Sequence, residues 1–465
     1  MKKTYFKPLI FCLLLIVGFA SVSAQESTTL QFMKGMPQSD LQNPALHNDS
    51  SAVVIGFPGL SGMYGDVNSG FAVNDLKLID RFYDSLKPTN SIEQHFSMPL
   101  FSLGIRSKKS FFSFGITEKQ VTQFTFAKSL VQFIKDGNAP YIGQNFDLGD
   151  MDMDAIHYRE FAFGYSNELI KNKLTVGVKA KVLYGKSAIQ TEKMNLKVET
   201  AADVSYLNLS SDMKINMSAP ITAEFDSVGY FSGMNGDNIE PVDYVLQKGN
   251  KGMAFDLGAV YKLTPKITLS GSIVDIGKIS FKKDVITLEH VSNYKWEGID
   301  ISKSIDNTKS DYVSLADLFE NEVDKMKDSF RPHKSEFGSE AFDMSLPTKI
   351  YLGGTYEVNN KINIGILDRL YKNGDFSQNT VTLSANTMLR NFLSLTGSYS
   401  MIGNSYNNLG LGMSIRMGFM QIYFVGDNVL AIADPAKVDY ANLRFGMNFL
   451  LGRQHKPKVA EASDI

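Results

Sequence analysis

Hydrophobic and polar residues alternate with a period of two along most of this chain. From Leu174 to Tyr184, one face carries Leu, Val, Val, Ala, Val and Tyr, whereas the other carries Thr, Gly and two Lys before it ends on Leu183. Successive side chains of a β-strand point to opposite faces, so one face of this segment is apolar over a length that spans a bilayer. The same division recurs at 253–263, 381–390, 409–417 and 442–449. The pattern predicts membrane-spanning strands.

A soluble β-sandwich would give a similar alternation, and two further features favour a barrel instead. The polar faces carry small residues and isolated charges, as a water-filled lumen does. Aromatic residues also lie near the predicted strand ends, where membrane-interface girdles occur. These residues are Tyr158, Phe161, Tyr184, Tyr261, Tyr351, Tyr356, Tyr399 and Tyr423.

Short and long connections alternate along the chain, as the periplasmic turns and outer loops of outer-membrane barrels do. This alternation predicts an all-β fold, a transmembrane antiparallel β-barrel of about 14 strands over residues 53–451, with both chain ends in the periplasm. The predicted long outer loops are about 69–96, 121–156, 186–251 and 289–346. The outer links at 370–379 and 402–408 are also expected to be longer than turns.

Two of the outer loops carry helical patterns. Ser314 precedes apolar residues at three- and four-residue spacings up to Phe330, and a second pattern runs from Ile79 to Leu86. Two interpretations remain open: the helices bury their apolar faces on the barrel rim, or they form a hydrophobic landing site for a ligand or partner.

The chain begins with a predicted cleaved signal peptide, residues 1–24. Lys2 and Lys3 precede a short apolar run, and a small-x-small pattern ends at Ala24. Cys12, the single cysteine, lies within this run, so the mature chain is expected to have neither disulfides nor thiol chemistry. A charged tail, residues 452–465, follows the last predicted strand. Export and alternation together place the protein in the outer membrane, in contact with its lipid.

Composition and motifs exclude several functions. A net charge of −2 argues against nucleic acid as a partner. No nucleophile elbow or phosphate loop is present and the six histidines are scattered, so we expect no enzymatic activity, no cofactor and no metal site. An acidic cluster in one predicted outer loop is either solvated or binds calcium or bridged lipopolysaccharide. It comprises Asp147, Asp150, Asp152 and Asp154.

Isolated charges on the polar faces are the candidate functional residues of the lumen. They are Lys179, Lys181, Arg390, Arg416, Arg444, Glu160 and Asp256. Two interpretations remain open. The charges pair with one another or with a plug and fix it, or they line a passage and bias it toward anions.

A motif lies between the signal peptide and the first predicted strand: Asn43-Pro44-Ala45. An Asn-Pro-Ala at this place resembles the N-terminal hatch of the long-chain fatty-acid transporter (FadL-like) family of outer-membrane barrels. The stretch 32–75 is similar to an uncharacterised barrel family of Bacteroidota related to it. The resemblance implies a barrel plugged by its N-terminal segment, here residues 25–52. The long insertions have no counterpart in the fatty-acid transporter, so its ligand contacts do not carry over.

Together these observations predict a monomeric barrel for hatch-gated passive transport of a small hydrophobic or amphipathic compound. The alternative is a surface or secretion-system adaptor whose outer loops bind a secreted or surface protein. A purely structural barrel is the third interpretation.

Overall fold

A computed structural model of the protein describes residues 28–47, 51–237, 239–305, 310, 312–359, 361–389, 392–403 and 405–453. The predicted signal peptide, the candidate residue Arg390 and almost all of the predicted charged tail lie outside these residues.

The described residues form 21 strands. In chain order, the first ten are β1 (Ser51–Gly56), β2 (Met63–Asn68), β3 (Thr89–Ser107), β4 (Ser110–Ala127), β5 (Asn145–Ile170), β6 (Leu174–Thr200), β7 (Leu207–Ser218), β8 (Thr222–Phe225), β9 (Phe231–Asn235) and β10 (Asn250–Lys262). The others are β11 (Ile267–Phe281), β12 (Val285–Trp296), β13 (Phe337–Gly338), β14 (Phe342–Ser345), β15 (Thr348–Glu357), β16 (Ile362–Asn373), β17 (Phe376–Leu389), β18 (Leu393–Ile402), β19 (Ser405–Met417), β20 (Met420–Gly426) and β21 (Tyr440–Arg453).

Fourteen antiparallel strands close into one barrel. β1 and β2 together make the first, because both pair with β3 on one side and with β21 on the other. β14 and β15 together make the eighth, because both pair with β11. The other twelve are β3–β6, β10, β11 and β16–β21. The expected all-β barrel of about fourteen strands is therefore confirmed.

Connections at the end that carries both chain termini are turns of two to four residues, as expected for the periplasmic end. Two predictions for the opposite end were wrong, because the links at 370–379 and 402–408 are tight turns. Asn373 pairs with Phe376, and Ile402 pairs with Ser405. Each turn contains a glycine with positive φ, Gly374 or Gly403, a backbone conformation that glycine adopts without steric cost.

The barrel strands extend further at their outer ends than predicted, so the outer loops are shorter. β4 runs to Ala127 and β5 begins at Asn145, which reduces the predicted loop 121–156 to 128–144. β3 likewise begins at Thr89, and β6 continues to Thr200. Beyond the bilayer both faces of a strand meet water, so the apolar alternation ends while the backbone ladder continues.

The loop predicted at 186–251 and two parts of the one predicted at 289–346, residues 289–296 and 337–338, contribute to a sheet outside the barrel. The outer half of β6 pairs with β7, β7 pairs with β12 along its length, and β12 pairs with the short β13. β8 and β9 form a separate hairpin. β6 has 27 residues, whereas crossing a bilayer takes about 9–11, so this outer sheet projects beyond the barrel.

The described residues of the outer loops also form five short α-helices: α1 (Ile79–Ser85), α2 (Lys128–Asp136), α3 (Pro241–Leu246), α4 (Leu315–Ser329) and α5 (Leu430–Ala433). Both predicted helices form, and α4 begins at the predicted cap, where Ser314 accepts a hydrogen bond from the Asp317 N–H at 3.1 Å. Phe82 of α1 packs on a cluster that includes Phe71 and Phe126, as the rim-packing interpretation expects. No residue of α1 or α4 is fully buried, but α4 differs in that none of its residues joins this cluster.

The outward faces of the barrel strands form an apolar belt. On β19, Leu409, Leu411, Met413 and Met417 are 48, 44, 37 and 46% exposed, while Gly412 and Ser414 between them are buried. The same arrangement holds around the wall, with exposed Val178, Leu257, Leu352, Ile364, Leu383 and Phe445. Such a belt matches the apolar core of a bilayer. Among the described residues, no helix is long and apolar enough to cross a membrane.

Candidate functional site: the plugged lumen

Ser51 and Ala52, at the end of the predicted hatch 25–52, belong to β1 of the wall, whereas residues 28–47 lie inside the barrel. We refer to residues 28–47 as the hatch. Its apolar side chains face inward-pointing residues of the wall and are 1–4% exposed. They are Leu30, Phe32, Met33, Met36 and Ala45. The segment thus fills the lumen at the level that it occupies.

A buried carboxylate, Asp427, anchors the beginning of the hatch. Its two oxygens accept hydrogen bonds from the backbone N–H groups of Thr28, at 2.8 Å, and Thr29, at 2.9 Å. The Thr29 hydroxyl also contacts Ser398 of β18 at 2.6 Å. Hydrogen bonds to a charged acceptor are about twice as strong as those between neutral groups. Asp427 follows β20 directly, so this anchor belongs to the wall.

Two polar contacts hold the middle of the hatch. Gln38 and Asn448 of β21 exchange a pair of amide hydrogen bonds, at 2.6 and 3.0 Å. Lys179 of β6 reaches Asp40, donating to its backbone oxygen at 2.7 Å and contacting its carboxylate at 3.0 Å. A predicted lumen charge therefore pairs with the hatch. Asp40 could not be identified from the sequence, because the residues around it do not alternate between hydrophobic and polar.

The Asn-Pro-Ala motif lies against β10 and β11. The Asn43 amide donates to the backbone oxygens of Ala259 and Gly271, each at 3.2 Å, and its side-chain oxygen accepts from the Ala45 N–H at 2.9 Å. Two wall glycines, Gly177 and Gly258, make room for it. A Cβ atom at Gly177 would lie 2.3 Å from the Pro44 carbonyl carbon, and one at Gly258 would lie 2.1 Å from Asn43 Oδ1.

Above the hatch, a charged layer lines one side of the lumen. Lys181 Nζ lies 2.7 Å from Asp256 and 2.6 Å from Asp275, and Lys119 Nζ lies 2.8 Å from Glu160. Lys349 completes the layer, 3.1 Å from Asp275. All six side chains are largely or fully buried, at 1–14% exposure. Of the predicted lumen charges, Lys181, Glu160 and Asp256 thus belong to one network of ion pairs.

A β-bulge brings Asp275 into this network. The register of β10 with β11 shifts between Phe255 and Leu257, and both Val274 and Asp275 point inward there. The Asp275 N–H donates to Asp256 at 2.8 Å, which fixes the bulged residue. Sequence reasoning missed Asp275, although an isolated charge within an apolar strand is the signal that identified Asp256.

Two predicted lumen arginines differ in their surroundings. Arg444 is 1% exposed, and its guanidinium lies 4.2 Å from the centre of the Tyr64 ring. Arg416 is half-buried near the periplasmic end, where it donates to the Gly418 backbone oxygen at 3.3 Å and reaches the Ser51 hydroxyl at 3.4 Å. Neither belongs to the charged layer.

Two hydrogen bonds close the outer half of the lumen from side to side. His95 Nε2 lies 2.9 Å from the Tyr371 hydroxyl, and Asn373 donates to Gln123 at 2.6 Å. β3 and β16 are the second and ninth of fourteen strands, so the first bond joins opposite walls. Asp66 holds the other ring nitrogen of His95 at 2.6 Å. We call these four bonded residues, His95, Tyr371, Gln123 and Asn373, the clasp.

A small cavity of about 40 Å³ borders both the clasp and the charged layer. Its lining mixes phenol rings, such as Tyr64 and Tyr158, with charged groups, such as Lys119 and Lys349. An apolar cluster adjoins it through Val121 and Tyr158. The lining therefore offers contacts to both polar and apolar groups.

The wall is interrupted beside the hatch. Residues 57–62, between β1 and β2, lie outside the regular strand pairing with β21. Ile55 pairs with Phe449 and Met63 pairs with Phe445, so eight residues along the first strand correspond to only four along β21. The excursion touches the hatch, because Gln38 donates to the Ser61 backbone oxygen at 3.2 Å. On the outside, Phe57 and Leu60 are 44 and 50% exposed.

The acidic cluster of the sequence lies elsewhere, on the outer half of β5. Among the described residues, no group of three or more His, Cys, Asp or Glu side chains is arranged to hold a metal ion.

Solved structures similar to this chain share little of its sequence. The toluene transporter TbuX of Ralstonia pickettii is 8% identical, covering 91% of this chain and 98% of its own, with a TM-score of 0.42. A FadL homologue of Pseudomonas aeruginosa is 10% identical, covering 93% and 100%, with a TM-score of 0.41. No curated protein matches the sequence.

A family profile matches most of the chain, over residues 44–427. The match begins within the Asn-Pro-Ala motif and ends at Asp427, the anchor of the hatch. It therefore includes most of the barrel wall together with the outer sheet. The protein belongs to this family, which is described as a family of unknown function, DUF5723.

Proposed function

We propose that this protein is an outer-membrane barrel that admits a small amphipathic compound passively and is gated by its hatch. The observation that carries the proposal is the hatch itself, a separate segment seated inside a wall that closes without it. Each hydrogen bond that holds the hatch contributes about 0.5–1.5 kcal/mol net, and the strand pairing that closes the wall does not include the hatch, so the segment can be displaced without unfolding the barrel.

The chemistry of the lumen favours an amphipathic compound over a pure hydrocarbon. Charged groups of the cavity would bind a polar head, and the adjoining apolar cluster would cover a short apolar body. A hydrocarbon alone would leave the buried charges without compensation for lost water, which is costly.

The proposed route passes the clasp, the cavity and the wall interruption. The clasp must open first, because its hydrogen bond between His95 and Tyr371 joins opposite walls. Displacement of the hatch then frees the excursion at 57–62 from Gln38. Release beside Phe57 and Leu60 would deliver an apolar body toward the lipid.

Influx of the fluorophore phenylnaphthylamine tests this function. We would measure its fluorescence in cells whose outer membrane otherwise excludes it, with and without the barrel. Faster influx in cells that carry the barrel supports transport. Equal rates, with folded protein present in the outer membrane, would remove the basis for transport.

Loss of the clasp should raise influx. Tyr371→Phe removes the hydroxyl that bonds His95 but keeps the ring, so opening becomes easier by about 1 kcal/mol and influx rises about fivefold. Tyr399→Phe is the matched control, since Tyr399 faces outward and is 37% exposed. Unchanged influx in Tyr371→Phe would show that the clasp does not limit passage.

A second candidate function, a surface adaptor, is favoured by the outer sheet and by α4. Leu315, Phe319 and Val323 form an apolar stripe on α4 and are 51, 58 and 42% exposed. Monomeric proteins rarely leave large apolar patches uncovered.

Purification from gently solubilised outer membrane tests the adaptor. A stoichiometric protein that is lost when all three stripe residues are replaced by Ser would support it. The fold-preserving substitution is preferable to deleting 289–346, since that deletion removes β14 from the barrel wall. Purification of the barrel alone would argue against an adaptor.

A further inference from the structure

Six apolar side chains are exposed on two neighbouring outer loops. The first loop joins β2 to β3, and the second joins β20 to β21. The six residues are Val73, Leu76, Leu78, Ile79, Leu430 and Ile432, with exposures of 42–65%. We call this set the shoulder.

The two loops are held together and anchored. The Ser69 N–H donates to the Asp439 backbone oxygen at 3.0 Å, which ties the first loop to the second. Within the first loop, Phe82 and Leu86 pack beneath the surface against Phe71. The shoulder residues are therefore those that remain outside after the loop has formed its own core.

The shoulder continues the apolar belt. The Val429 N–H donates to the backbone oxygen of Leu409 at 2.8 Å, and Leu409 is the outermost belt residue of β19. Leu430 and Ile432 follow immediately. On the neighbouring strand, Asn68 pairs with Tyr440 at the top of the wall, and the first loop leaves from there.

Charges next to the shoulder are mostly paired. Arg81 lies 2.7 Å from Asp75, Lys437 lies 2.9 Å from Asp434, and Lys135 lies 3.2 Å from Asp80. A surface with no net excess of charge does not oppose contact with acyl chains. Basic and apolar groups side by side are also typical of segments that lie in a membrane interface.

We propose that the shoulder lies within the acyl layer of the outer leaflet. Its occupant is lipid, because the surface with which it is continuous is the lipid-facing belt. The loops would thereby widen the apolar contact of the barrel above strands β20, β21, β2 and β3. Interfacial segments bury their apolar faces about 5–10 Å deep. The shoulder side chains suit such a depth, because their loops leave directly from the outer ends of these strands.

Tryptophan quenching tests this proposal, because Trp296 is the single tryptophan of the chain. In a Trp296→Phe background, Ile432→Trp and Leu78→Trp report on the shoulder. Leu411→Trp reports on the belt, and Val291→Trp reports on the outer sheet, where Val291 is 73% exposed. Each folded variant is placed in vesicles of phosphatidylcholine with brominated acyl chains, and quenching is compared with ordinary phosphatidylcholine.

We expect Ile432→Trp and Leu78→Trp to show at least about half of the quenching at Leu411→Trp, given interfacial depth. Quenching as weak as that at Val291→Trp would overturn the proposal. Resistance to unfolding in detergent before heating shows that each variant is folded. Leu430→Trp replaces any variant that fails this check. The result does not depend on whether the barrel transports anything.

Discussion

Replacement of Lys181 by Met should destabilise the barrel by about 3–5 kcal/mol, because it removes the ion-pair partner of the buried Asp256 carboxylate and one of the cations at Asp275. Lys181 lies within 2.7 Å of both Asp256 and Asp275, and all three side chains are at most 5% exposed. Denaturant unfolding of detergent-solubilised protein measures the loss. A buried ion pair need not be stabilising by itself, but removing one partner alone is costly.

The matched control is Lys278→Met. Lys278 also pairs with an aspartate, Asp343, at 2.5 Å, but its side chain is 62% exposed. An exposed pair contributes about 0–1 kcal/mol, so this variant should unfold almost as the parent does. Adding Asp256→Asn to Lys181→Met should restore part of the stability. If Lys181→Met unfolds normally and instead alters ion flux, the charges line a passage rather than brace the wall.

Substitution at a hatch seat should release the hatch from an intact barrel. In Gly177→Val, the new side chain meets the Pro44 backbone, which a Cβ atom already approaches to 2.3 Å. Overpacking of this kind costs about 1–3 kcal/mol, so the displaced state becomes about 5- to 150-fold more populated. The rate of trypsin cleavage after Lys34 reports the population of the displaced state, provided that the hatch returns to its seat faster than trypsin cleaves it.

Gly397→Val is the control for this experiment, since a Cβ atom at Gly397 meets nothing within 4 Å. It should leave the rate of cleavage unchanged. Equal cleavage in Gly177→Val and the parent, with both barrels folded, would mean that the hatch does not depend on this seat.

The alternation of hydrophobic and polar residues predicted the barrel wall well, because a strand that crosses the bilayer must present apolar side chains to the lipid. The segment at Leu174 and the one at 409–417 are strands with apolar residues outside, and the strand number follows from them. The outer sheet escaped prediction because β7 and β12 lie where no lipid selects an apolar face. The tight turns at Gly374 and Gly403 escaped because polar strand ends resemble loops.

The sequence indicated which charged residues face the lumen, but it did not indicate which residues would contact each other there. Lys181 and Asp256 were identified from isolated charge in an apolar pattern, and they pair. Their third partner, Asp275, depends on a β-bulge, which breaks the two-residue alternation and so cannot be found from it. His95 and Tyr371 meet only because strands distant in sequence face each other across a closed barrel.

A reversible lock on the hatch tests the proposed gating most directly. Asn43→Cys with Gly258→Cys suits a disulfide, because a Cβ atom at Gly258 would lie 2.9 Å from Asn43 Cγ, the position that the partner sulfur would take. That separation is close to the roughly 3 Å between a Cβ atom and the far sulfur of a disulfide. The Pro44 ring, whose Cδ would lie 2.8 Å from the new Cβ, must shift slightly. Asn43→Cys alone is the control for the loss of the amide.

With this pair oxidised, we predict that phenylnaphthylamine influx falls to the rate of cells without the barrel and that reduction restores it. The single variant should respond to neither treatment. Equal influx in the oxidised and reduced states, with the disulfide confirmed by mass, would contradict gating by the hatch.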